Sequence, residues 1–132
     1  MISYLTFLPL SKVSLQVKIG LMTLSNKQGV QVSVGILAQM KAKPGKEAAV
    51  EAFLREALPL ANEESGTTVW FAIKLDPSTF GIFDAFAAEA GRNAHLTGPI
   101  AGALMANAAE LLSEAPSIRK VDVLAAKLLA SS

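Results

Sequence analysis

Three observations predict an α+β domain built on one antiparallel sheet. Apolar residues alternate with period two over residues 32–40, 67–75, 79–86 and 118–126, as half-buried strands require. Two stretches between them carry the helical period instead: Val50, Phe53, Leu54, Ala57 and Leu58, then Ala101, Leu104, Met105, Ala108, Leu111 and Leu112. Breakers separate these runs at Lys43-Pro44-Gly45, Gly66, Asp76-Pro77-Ser78 and Pro116-Ser117. The resulting order, β-α-β-β-α-β, is the ferredoxin-like split pattern, in which both helices cover one face of a four-stranded antiparallel sheet.

Each element follows from its residues. In the first strand Val32, Val34, Ile36, Ala38 and Met40 alternate with Ser33, Gly35, Leu37, Gln39 and Lys41 until the Pro-Gly breaker. The first helix sets Glu47, Glu51 and Arg55 opposite its apolar stripe, with Glu51 and Arg55 spaced for an i,i+4 pair. Pro59 removes a helical hydrogen bond, so this helix either kinks there or finishes as one loose turn before Gly66. Residues 67–75 are rich in β-branched and aromatic side chains, and the turn at Pro77 folds residues 79–86 back as a hairpin partner. The polar segment 89–99, which holds His95, reads as the connector into the second helix. Residues 118–126 alternate as the closing strand.

A length of 132 residues suits one domain, here residues 31–132, preceded by an N-terminal extension over residues 1–30. In that extension Val13, Leu15, Val17, Ile19 and Leu21 alternate, which fits either an extra strand or a disordered arm, and Met22 offers an alternative start. The apolar beginning has no basic flank and no run reaches 18 apolar residues, so neither a signal peptide nor a membrane span is expected, and the cytoplasm is the expected location. Twelve basic residues face eleven acidic ones without a basic cluster, which argues against nucleic acid as a partner. With no cysteine, one histidine and no glycine-rich phosphate loop, neither a metal nor a nucleotide site is expected. The chain is 52% hydrophobic, with a mean hydropathy of +0.42, and its strands are apolar at both parities. A second sheet face therefore needs a cover, and a homodimer supplies it most economically.

The candidate site lies in Phe80-Gly81-Ile82-Phe83-Asp84-Ala85-Phe86 and in Ala94-His95-Leu96-Thr97-Gly98-Pro99. Strand parity puts Asp84 on one face with Phe80, Ile82 and Phe86, and a carboxylate among these rings must be paired or used. Asp84 either orients His95 or a substrate hydroxyl, or pairs with Arg92, Lys74 or a backbone amide. His95 either takes a proton from a phenolic hydroxyl or anchors the second helix. Trp70, Phe80 and Phe86 are candidate walls for a flat ligand, and Gln39 is a further polar candidate.

Taken in order, the first strand, Lys43-Pro44-Gly45, the helix with Pro59, Glu64-x-Gly66 followed by Trp70, the run from Phe80 to Phe86, and Ala94-His95-Leu96-x-x-Pro99 resemble the antibiotic biosynthesis monooxygenase domain. The likeness spans residues 32–127 and implies a dimeric α+β barrel with a pocket between sheet and helices. It also implies quinol-type oxygenation of a small aromatic without a prosthetic group, with His95 as base and Asp84 as its polar partner. An alternative within the same fold is a non-catalytic dimer that binds a small ligand or serves a stress response. Quinol-type members often carry a Trp where this chain has Phe86 and a second His where it has Ile100. The haem-degrading branch would place Asn, Trp and His where this chain has Ala38, His95 and Met105.

Overall fold

The computed structural model describes residues 31–129. Of these, Gln31–Lys127 form one compact unit. The elements are β1 (Val34–Lys41), α1 (Glu47–Glu56), α2 (Leu58–Glu63), β2 (Val69–Asp76), β3 (Thr79–Phe86), α3 (Glu89–Leu96), α4 (Pro99–Leu111) and β4 (Ser117–Asp122). The sheet runs β2-β3-β1-β4 with every neighbour antiparallel, which is the ferredoxin-like arrangement the sequence predicts. Among the described residues, no helix is long and apolar enough to cross a membrane.

Alternation sorts each strand onto two faces. Met40, Ala38 and Ile36 of β1 stand opposite Phe80, Ile82 and Asp84 of β3, and all six are buried on the helix side. Val50 and Leu54 of α1 and Leu104 of α4 close over them, and this cluster is the main core. The other face presents Leu37, Phe71, Ile73, Phe83 and Val121, of which Phe71 is 55% and Ile73 42% exposed. Exposed aromatic and β-branched residues side by side on a sheet are what the two-sided apolar pattern foretold.

At Pro59 the structure takes the kink that the sequence reading allowed, and two other local outcomes differ from that reading. The first helix divides at Ala57, and Pro59 enters the first turn of α2, where its missing N–H leaves no hydrogen bond unmade. The polar segment after β3 is helix α3, because its buried positions Arg92 and His95 lie three apart and hydrogen-bond rather than supplying an apolar stripe. The closing strand stops at Asp122, well short of residue 126, since its pairing with β1 ends where β1 begins, at Val34. The expected extension over residues 1–30 lies outside the described residues.

Candidate functional site

Asp84 sits two residues from the end of the interior strand β3, between Ile36 on β1 and Trp70 on β2, and is fully buried. Helix α3 lowers His95 onto it. His95 Nε2 lies 2.9 Å from Asp84 Oδ2, off the line of an ideal hydrogen bond, and the imidazole packs tilted against Phe86 with ring centroids 5.5 Å apart. On its other side His95 Nδ1 lies 2.6 Å from Oε1 of Glu64. The ring, only 7% exposed, is thus held between two carboxyl groups.

Glu64 arrives from the turn after α2. Its backbone N–H donates to Ala61, its carbonyl accepts from Thr67 N–H, and Thr67 Oγ1 donates to Glu64 Oε1 at 2.7 Å. This turn reaches α3 only because two glycines meet: a Cβ on Gly91 would stand 2.6 Å from the Gly66 carbonyl oxygen, and one on Gly66 would stand 3.0 Å from Gly91 Cα. Gly91 is one helical turn before His95, so the close approach carries Glu64 to the imidazole.

Arg92 fixes the other end of α3. Its Nη1 donates to the carbonyls of Gly35 and Val121 at 3.1 Å each, and its Nε and Nη2 donate to Glu89 at 2.7 and 2.8 Å. Arg92 therefore ties α3 to β1 and β4 rather than pairing with Asp84.

The electrostatic result is a charged imidazole. Burial alone would push His95 towards its neutral form, but the hydrogen bonds and charges of Asp84 and Glu64 outweigh it and raise the pKa from 6.5 to about 9. At neutral pH both ring nitrogens then carry protons and both face carboxyl oxygens.

Of the residues singled out in the sequence, Asp84, His95, Phe86 and Trp70 come together. Trp70 pairs across β2–β3 with Asp84 on the helix side and packs against both apolar clusters. Phe80 shares the face but lies four residues along β3 from Asp84, 1% exposed in the core. There it floors a groove of about 150 Å³ that is lined also by Glu51, Leu54, Arg55, Ala72, Ile73 and Lys74, and by neither Asp84 nor His95. Gln39 does not join the site. Its position on β1 is odd relative to Ala38 and Met40, so the pleat points it away from the helices. Glu64 was missed as a site residue, although Glu64-x-Gly66 was among the residues that carry the family likeness.

No family model matches the chain, and no curated protein matches it. Among solved structures, a Nitrosomonas europaea protein of unknown function is 64% identical, with a TM-score of 0.74, covering 76% of this chain and 97% of that one. A second Nitrosomonas europaea protein, described as a candidate antibiotic biosynthesis monooxygenase, is 16% identical with a TM-score of 0.63, covering 72% of this chain and 94% of its own. A Caulobacter crescentus protein of the same description is 20% identical with a TM-score of 0.61, covering 78% and 99%. The two distant likenesses establish the fold, and the close one establishes kinship: the chain belongs to the family of the Nitrosomonas europaea protein of unknown function, and its fold is of the antibiotic biosynthesis monooxygenase type.

Proposed function

We propose that the chain is a cytoplasmic homodimer that oxygenates a small quinol-like aromatic without a prosthetic group, and that Asp84 and His95 handle the substrate proton. The observation that carries this reading is the buried Asp84–His95 contact, flanked by Trp70 and Phe86, on the helix side of the sheet. In this scheme the substrate hydroxyl donates to Asp84, and the proton passes to the Asp84–His95 pair when the imidazole is neutral. The resulting electron-rich anion gives an electron to dioxygen, and the protein contributes orientation and a water-poor surrounding. Glu64 holds the ring in place from behind.

Oxygen uptake with a panel of hydroquinones tests the reading. His95→Gln is expected to lower kcat by roughly 100-fold. For the unaltered protein, kcat/KM should climb as pH rises and level off above about 9, where His95 becomes neutral. Equal rates in the two proteins would remove His95 from the mechanism.

A second reading has its own support. Asp84 is fully buried, and the groove over Phe80 touches neither Asp84 nor His95. Both facts suit a non-catalytic dimer in which the clamp is structural and the groove takes a small ligand. Absence of oxygen uptake at every pH, with His95→Gln merely less stable, would favour it.

A further inference from the structure

We infer that the groove over Phe80 is a binding site for a small aromatic monocarboxylate, a single ring that carries one carboxylate. The groove is the one invoked in the ligand-binding reading above, on which this inference rests, and no reaction at Asp84 or His95 is assumed. It lies between α1 and the edge strand β2 and has a volume of about 150 Å³. A space of that size lined by aliphatic and aromatic side chains admits one benzene-sized ring. Leu54, Ala72 and Phe80 supply such a lining: Leu54 and Phe80 belong to the main core, and Ala72 stands beside them on the helix side of β2.

Charge at the rim limits what the ring carries. Glu51 and Arg55 of α1 and Lys74 of β2 also line the groove, two cations against one carboxylate, which leaves a net charge of +1 for one anionic group to match. Arg55 turns the Nε and Nη2 edge of its guanidinium to Glu51 Oε2, at 3.3 and 2.9 Å, and Lys74 Nζ lies 3.2 Å from Glu51 Oε1. Glu51 thus shows how a carboxylate is held at this rim, one oxygen to each cation. All three side chains are exposed to solvent, and exposed pairs of this kind contribute little stability. A ligand carboxylate therefore takes the place of Glu51 at small cost, and a guanidinium edge with two N–H donors suits it. Lys74 Nζ also stands 5.6 Å from the centre of the Phe80 ring, so a cation and the apolar floor meet at one place. A ring set on Leu54 and Phe80 consequently brings its carboxylate to Lys74 and Arg55. An organic cation would meet both as like charges, and a neutral ring would leave both paired with Glu51 alone.

Amide NMR titrations of the full chain with benzoate and with benzyl alcohol, at constant ionic strength, test the site. Benzoate is expected to bind in about the millimolar range and about ten-fold tighter than the alcohol, with shifts centred on Glu51, Arg55, Ala72 and Lys74. Arg55→Gln and Lys74→Gln should each weaken benzoate by about five-fold and leave benzyl alcohol unchanged. Glu51→Gln removes the competing carboxylate and should tighten benzoate by about three-fold, a gain that loss of folding cannot imitate. Ala72→Leu, which fills the groove, should weaken both compounds. Equal affinity for benzoate and benzyl alcohol in the unaltered protein, or weaker benzoate binding in Glu51→Gln, overturns the carboxylate ligand while leaving the groove open to a neutral one. Binding of neither compound, or shifts confined to residues outside the groove, overturns the inference together with the ligand-binding reading.

Discussion

His95 shows how the partners of a residue decide its chemistry. An unperturbed imidazole is half protonated near pH 6.5, but one clamped between Glu64 and Asp84 holds its proton to about pH 9. The sign of the linkage follows: the folded form binds this proton more tightly than the unfolded form. The stabilisation is therefore fully present below about pH 6.5 and is lost as pH rises through about 9. It amounts to something on the order of 3 kcal/mol. Denaturant melts at pH 6 and pH 9.5 should differ in that direction, and His95→Gln should flatten the difference. Because His95 is the chain's only histidine, proton NMR of its ring reads the titration without overlap. Glu64→Gln should move the midpoint down by about a unit or more; an unchanged midpoint would show that Glu64 does not hold the ring in solution.

At the level of elements, the site depends on how closely the α2–β2 turn approaches α3. The contact between Gly66 and Gly91 has no space for a methyl group, since the Gly91 Cβ position is 2.6 Å from a carbonyl oxygen. Gly91→Ala must push α3 or the turn aside, at a cost of about 1–3 kcal/mol. The displacement would also lengthen the Glu64–His95 contact. Thermal unfolding measures the first effect and the His95 midpoint the second, and loss of stability with an unmoved midpoint would separate the packing from the clamp. None of this is visible in strand or helix periodicity. The α3 segment has no apolar stripe, because Arg92 and His95 are held by hydrogen bonds to β1, β4 and the α2–β2 turn. Hydrophobic period therefore marked α1 and α4 and passed over the helix that carries the imidazole.

For the whole molecule, the outer sheet face is apolar and needs a cover. Leu37, Phe71, Ile73, Phe83 and Val121 form one apolar surface on the side away from the helices. Burying it against a second copy would supply the hydrophobic gain that a sheet with one bare face lacks. Sedimentation at micromolar concentration is expected to show a dimer, and Phe71→Glu, which sets a charge on that face at its β2 edge, should yield monomers that keep their secondary structure. A wild-type monomer under those conditions would discard the dimer.

Residue order alone determined the four strands and the helices α1 and α4, the hairpin at Pro77, the face shared by Phe80, Ile82, Asp84 and Phe86, and the apolar second side of the sheet. All of these are consequences of short-range periodicity and turn chemistry, which neighbouring residues specify among themselves. Only the tertiary structure decided that Glu64 completes the clamp, that Gln39 turns away from it, that the groove over Phe80 stands apart from Asp84, and that His95 is charged at neutral pH. Those outcomes depend on contacts between residues distant in the chain, such as Glu64 with His95 and Gly66 with Gly91, and on the burial that raises or lowers a pKa. No local pattern encodes them, because they exist only once the helices have packed on the sheet.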